Sequence, residues 1–173
     1  MNHDRYDEAL IEGILTDVKT VAMVGASANT VRPSFFVLKY LLAKGFDVYP
    51  INPGRAGGEI GGRTAYASLA DVPVAIDRVD IFRAADAVPS VIDEALTLIP
   101  LPKVIWLQLG IRNDAAAAVA EAEGITVIQN RCPKIEYGRI SGEIGWAGVN
   151  SRRVSAKRPK LSEGFQHLKL RQE

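Results

Sequence analysis

Residues 21–34 read VAMVGASANTVRPS, and this stretch decides the fold. Val21-Ala22-Met23-Val24 is apolar at every position, without the alternation of a strand wetted on one side. Such a run belongs in a sheet covered on both faces. Gly25 stops it and permits a tight turn. Pro33 suits the first turn of a helix, where its missing N–H would lack a partner in any case. Gly45 marks that helix's end. A buried strand, a glycine turn and a helix in succession open a strand–helix–strand unit.

The same alternation continues outward. Residues 7–17 (DEALIEGILTD) place Ala9, Leu10, Ile14 and Leu15 at helical spacing, so an opening helix precedes the strand. FFVLKYLLA, at 35–43, is apolar nearly all round and predicts a well-buried helix. Phe46–Ile51 is the second strand, ended by Asn52-Pro53-Gly54. Glycines 54, 57, 58, 61 and 62 make a mobile loop the natural reading of residues 54–62. A short edge strand near Thr64–Tyr66 and a turn capped by Asp71 come next. Val79–Phe82, Val104–Leu109 and Ile125–Gln129 are further strands. Between them lie a helix opened by Pro89 and closed by Pro100, and an Ala-rich helix capped by Asn113 or Asp114 and ended by Gly124. Five or six such strands predict an α/β fold, a doubly wound parallel sheet, Rossmann-like and in a single domain. That domain is expected over residues 1–150, with a basic C-terminal tail at 151–173. Ligands of such sheets sit beyond the carboxyl ends of the strands, so the segments to inspect are 25–34, 52–63, 82–88, 109–113 and 130–137.

Composition excludes several classes. The 173 residues are 47% hydrophobic and 24% charged, a globular balance rather than a disordered or fibrous one. At this size about 69% of the unfolded surface is buried, enough for a core without disulfides. No apolar run reaches a membrane span. The start, MNHDRYDEALIEG, has acids and no apolar core segment, so no secretory signal is expected. With Cys132 alone and no disulfide partner, a cytoplasmic protein is expected. Seven of the 21 Lys/Arg and two of the 20 Asp/Glu lie after residue 150, leaving the body at −4 and the tail at +5. The tail's charges are interleaved with Leu161, Phe165, Leu168 and Leu170, unlike a nucleic-acid arm, so nucleic acid is disfavoured. A solvated terminus or a segment docking on a partner fits better.

The first turn offers a phosphate site. A dinucleotide fingerprint would place glycines at 25, 27 and 30, but only Gly25 is present. Ser27 stands where the backbone would approach a pyrophosphate, and its hydroxyl and amide can donate instead. Asn29 and Arg32, in the lengthened loop, offer phosphate or base contacts. A phosphate at the helix N-terminus is favoured; a plain turn with a capping serine is the bland alternative. The second strand ends Tyr49-Pro50-Ile51-Asn52-Pro53, without the carboxylate that NAD readers use on ribose hydroxyls. Arg55 comes next, a cation suited to a ribose phosphate. NAD is disfavoured, while NADP and coenzyme A both qualify.

Six blocks carry a resemblance: VGAS (24–27), RPS (32–34), YPINP (49–53), VDIFR (79–83), WLQLG (106–110) and RCPKIEY (131–137). With these, in this order, the chain resembles the CoA-binding domain family, small proteins related to the nucleotide-binding domain of succinyl-CoA synthetase α. The resemblance implies contacts to CoA from Ser27, Ala28 and Asn29, from Arg55, from Phe82 and Arg83, and from Leu107, Gln108 and Leu109. It implies a chain that binds coenzyme A or an acyl-CoA, as a non-catalytic module or with a protein partner. An NADP-dependent oxidoreductase is the alternative, and a ligand-free scaffold kept for protein contacts the third reading; a protein partner or a homo-oligomer is left open.

Other residues have blander readings. Trp106 fits packing, and Gln108 either meets adenine or caps a neighbouring loop. Arg131 and Cys132 come after the last strand and would approach the thiol end of CoA. Activating Cys132 needs a base or cationic field, and His3 and His167 lie outside the strand-and-helix stretch from about residue 15 to about residue 150. Glu136 and Tyr137 are expected to shape a C-terminal turn. There is no Walker-type loop, metal-ligand spacing or serine nucleophile elbow, so no catalytic residue is assigned.

Overall fold

The VAMV run forms the second strand of a sheet whose every strand is parallel. In the computed structural model, which describes residues 1–143, the first elements are α1 (Glu8–Asp17), β1 (Thr20–Val24), α2 (Pro33–Ala43) and β2 (Asp47–Ile51). A two-stranded antiparallel hairpin, β3 (Glu59–Ile60) and β4 (Arg63–Thr64), is next in the chain. Then come β5 (Arg78–Ile81), α3 (Val88–Ala95), β6 (Val104–Leu107), α4 (Asp114–Ala122), β7 (Thr126–Ile128) and α5 (Pro133–Ser141). The expected tail at 151–173 lies outside the described residues. No helix among the described residues is long and apolar enough to cross a membrane.

The strand order is β2-β1-β5-β6-β7. The chain first steps outward from β1 to β2, then returns to the other side of β1 and proceeds to β7. The switch point therefore lies between the ends of β1 and β5, where Val24 pairs with Ile81. Alternation of side chains along each strand divides the core in two. Val21, Met23, Val48, Val104, Trp106 and Ile128 face α1, α2 and α5. Ala22, Val24, Val79, Ile81, Ile105, Leu107 and Val127 face α3 and α4. Burying each such side chain contributes about 1.5–3 kcal/mol, so both faces hold the sheet. The expected doubly wound architecture is what forms.

Local chemistry sets the element ends. Asp7 caps α1 by accepting the Ala9 N–H, and Asn113 caps α4 by accepting the Ala116 N–H at 3.0 Å. Pro33, Pro89 and Pro133 each stand in the first turn of a helix.

Four features differ from the sequence reading. The glycine-rich stretch has structure: a turn of 3₁₀ helix at Pro53–Arg55 and the β3–β4 hairpin, anchored by fully buried Ile60. Its backbone closes on itself, Gly57 N–H donating to the Ala65 carbonyl and Ala65 N–H to the Gly58 carbonyl, both at 2.9 Å. Helix α2 is not buried all round; Phe36 is 53% exposed, because a helix lying on a sheet keeps a solvent side. Residues 133–141 form a full helix rather than a turn. Finally, the central strand β5 holds a buried ion pair. Arg78 donates through Nε and Nη2 to both carboxylate oxygens of Asp80, at 2.7 and 3.1 Å. The guanidinium lies 5.4 Å from the Phe46 and Trp106 rings.

Candidate functional site

The carboxyl ends of the strands open into a cleft of about 1040 Å³ at the switch point. That is the upper end of the roughly 300–1,000 Å³ of small-molecule pockets. Gly25 is its floor. Gly25 adopts φ +84°, and a Cβ there would stand 2.6 Å from the Phe82 carbonyl oxygen and 3.0 Å from Cδ of Arg83. The glycine therefore lets the ends of β1 and β5 meet and lets the Arg83 stem cross the turn. Backbone bonds tie the same point together: Gly25 N–H donates to the Ile51 carbonyl and Phe82 N–H to the Val24 carbonyl.

The loop from 26 to 32 is shaped by its own side chains. Ser27 Oγ accepts the Asn29 N–H at 3.1 Å, and Asn29 Oδ1 accepts the Val31 N–H at 3.0 Å. Asn52, just past β2, donates its side-chain amide to the Ala26 carbonyl at 2.7 Å. The Ser27 hydroxyl accepts in this turn and keeps its proton for an outside acceptor. Helix α2 begins at Pro33, with Ser34 buried in its first turn on the cleft wall. In that turn Pro33 has no N–H and Phe35 donates to the Arg32 carbonyl at 3.0 Å, so the Ser34 N–H and the helix dipole are what favour an anion there.

Seven of the residues named from the sequence line this cleft: Gly25, Ser27, Arg32, Phe82, Arg83, Gln108 and Leu109. Four do not. Asn29 is exposed and spends its side chain on the loop, and Ala28 packs against the core below. Leu107 is fully buried, and its carbonyl accepts the Arg131 N–H at 3.3 Å. Arg55 closes the 3₁₀ turn after β2 and is exposed; Asn52 and Pro53 of that turn line the cleft, and Arg55 itself does not. Gln108 caps its own chain, Oε1 accepting the Leu109 N–H at 2.9 Å. Trp106 packs as expected and donates Nε1–H to the Arg131 carbonyl.

The structure also adds residues that the sequence reading did not assign. Lys134 and Ile135, in the first turn of α5, and Phe36 of α2 face the cleft; Cys132, at the α5 N-cap, lines it as the sequence reading expected. The Lys134 ammonium sits 5.6 Å from the centre of the Tyr40 ring. Burial, then the Glu143 carboxylate to which it donates, push the Tyr40 phenol above its ordinary range and keep it neutral. From α3, Ser90 and Glu94 complete the opposite wall, with Glu94 accepting the Leu69 N–H at 2.6 Å. The cations on the wall are thus Arg32, Arg83 and Lys134, gathered around a helix N-terminus: an arrangement for a ligand with phosphates and an extended body.

Comparison with known proteins agrees with this geometry. A family described as a CoA binding domain matches residues 19–138. The Bacillus subtilis protein YneT is 34% identical over 131 residues, covering 75% of this chain and 93% of that one. A solved Thermus thermophilus structure superposes with a TM-score of 0.74 at 34% identity, covering 78% of this chain and 99% of the other. The alpha subunit of an ADP-forming acetate–CoA ligase from Pyrococcus furiosus is 33% identical over 84 residues, 46% of this chain but only 18% of that subunit. The matched span begins just before β1 and runs into α5, taking in every strand end that forms the cleft, and on that ground the chain belongs to the CoA binding domain family.

Proposed function

We propose that this protein binds coenzyme A in the switch-point cleft, as a binding module without chemistry of its own. The observation that carries the reading is the first turn: Gly25 brings the Arg83 stem over the same loop where Ser27 and the α2 N-terminus offer donors. In this reading Ser27, Ser34 and the helix N-terminus take the pyrophosphate, and Arg83 and Arg32 supply countercharge. The residues fit the ligand, since the cleft is large and joins a cationic donor-rich turn to an apolar wall. An NADP-dependent oxidoreductase gains no support from the family or the cleft.

Calorimetric titration with CoA, dephospho-CoA and NAD tests the reading. CoA binds, and NAD binds at least tenfold more weakly. Arg83→Ala weakens CoA roughly ten- to a hundredfold, as expected for a charge-assisted hydrogen bond of about 1.5–3 kcal/mol. Arg55→Ala changes little, because that residue lies off the wall; a loss with CoA but not dephospho-CoA would make it the 3′-phosphate reader after all. Equal affinity for NAD and CoA, or no binding of CoA, overturns the proposal.

A further inference from the structure

Among the described residues that line the cleft, three are cations, Arg32, Arg83 and Lys134, and a single one is a carboxylate, Glu94 of α3. An acid in a site for a phosphate-bearing ligand repels that ligand unless it faces a hydrogen-bond donor. Half of this carboxylate is already committed. Oε1 accepts the Leu69 N–H at 2.6 Å, which ties α3 to the 3₁₀ turn at Leu69–Asp71 and fixes the side chain. Oε2 has no hydrogen-bond or ion-pair partner among the described residues. Glu94 is half-buried, so the bond to Leu69 holds an unused acceptor on the cleft wall.

The neighbours of Glu94 show which part of a ligand it meets. Asn52, just past β2, donates its N–H to the Tyr66 carbonyl at 2.8 Å, and Ala67 comes next in the chain. Asn52, Pro53 and Ala67 line the cleft, as does Val91, one turn before Glu94 on α3. Glu94 therefore stands on the β2 side of the opening. In doubly wound sheets the end of the second strand is where the ribose of a dinucleotide is read, so adenosine falls on this side. Pro53, Ala67 and Val91 supply apolar contact for the faces of a base. Adenosine in CoA has two kinds of donor, the ribose 2′-hydroxyl and the exocyclic amino group. The hydroxyl adjoins the 3′-phosphate, whose charge a carboxylate avoids. The amino group lies at the far end of the base from every phosphate.

We propose that Glu94 selects the base, its Oε2 accepting a hydrogen bond from the exocyclic amino group of adenine. The inference rests on the CoA reading above and names the residue that recognises adenine. Calorimetry with CoA and its hypoxanthine counterpart, in which a carbonyl oxygen replaces that amino group, tests it. The wild type binds CoA more tightly by roughly ten- to a hundredfold, because a charge-assisted bond gives way to two facing acceptors. In Glu94→Gln the amide oxygen keeps the Leu69 N–H and the N–H groups turn to the cleft, a donor in place of an acceptor. The preference for CoA then falls by roughly tenfold or more. Glu94→Ala removes the acceptor altogether and brings the ratio toward one. A wild-type ratio near one, or a ratio unchanged in both variants, overturns the proposal and leaves the CoA reading standing, with Glu94 serving only to hold Leu69. If neither ligand binds the wild type, the CoA reading itself falls and the proposal with it.

Discussion

Gly25 answers two separate demands at one position. Its φ of +84° is costly for any L side chain, and a Cβ would press on the Phe82 carbonyl, which is backbone and cannot swing away. Gly25→Ala is therefore expected to cost about 1–3 kcal/mol and to abolish CoA binding by moving Arg83 off the turn. Urea denaturation beside CoA titration checks both; a variant as stable as the wild type that still binds would show the turn to be compliant. This residue was legible in the sequence because a glycine at the end of an apolar run has few other uses. Arg83 was legible for a similar reason, as a charge placed where a strand ends at the switch point. Lys134 and Phe36 were not. Their place in the cleft depends on how α5 and α2 dock, and nothing in their local sequence encodes that.

At the scale of the element, β5 shows what apolar patterning overlooks. A strand in the middle of a sheet covered on both faces is expected to be wholly apolar, yet β5 reads Arg78-Val79-Asp80-Ile81 with both charges sealed. The spacing explains how they survive. Residues two apart in a strand share a face, so the guanidinium and carboxylate lie side by side and pair bidentately. Burial pushes the Asp80 carboxyl upward, and the Arg78 guanidinium pulls it back. One guanidinium nitrogen, Nη1, has no hydrogen-bond partner, and the guanidinium carbon lies 5.4 Å from the Phe46 and Trp106 rings. Asp80→Ala is expected to destabilise by about 3–5 kcal/mol, because it leaves a buried cation uncompensated. Replacing both, as Arg78→Met with Asp80→Leu, recovers most of that loss. Denaturant midpoints of the single and double variants decide it: a double variant as unstable as the single one means that the pair itself, rather than its imbalance, holds the sheet.

For the whole molecule, Asp77 fastens three strands at the end of the sheet away from the cleft. Its Oδ2 accepts the N–H groups of Lys19 and Thr20, both at 3.1 Å. Its carbonyl accepts those of Lys103 and Val104, and Oδ1 meets the Lys103 ammonium at 3.0 Å. Burial alone would raise the Asp77 carboxyl. The Thr20 and Lys19 N–H groups and the Lys103 charge outweigh it and hold the carboxyl below its ordinary value of 3.8. An acid whose folded pKa is depressed contributes its full stability above the unfolded value and loses it as pH falls through the folded one. The wild type should therefore exceed Asp77→Asn in urea midpoint at neutral pH, and the gap should close as pH falls below about 4. A gap that persists unchanged in acid would show that the charge on Asp77 does not matter. This clamp rests on the backbone of three chain-distant segments, so no local pattern in the sequence could reveal it.

By itself the sequence determined the parallel, doubly covered sheet and pointed to its strand ends, where the cleft lies. Those come from apolar runs, prolines at helix starts and the glycine at the first turn, all local signals. It also shows a second strand that ends without a carboxylate, the feature that disfavours NAD. Tertiary structure alone decided which residues meet. It folded Arg55 into a 3₁₀ turn of which Asn52 and Pro53, not Arg55, line the cleft, turned Leu107 into the core, and brought α5 beside α2 so that Ile135 and Lys134 share a wall with Phe36. The physical reason is that strand and helix periods are read along the chain, whereas a cleft is composed across it, where order in the sheet and helix docking choose the neighbours.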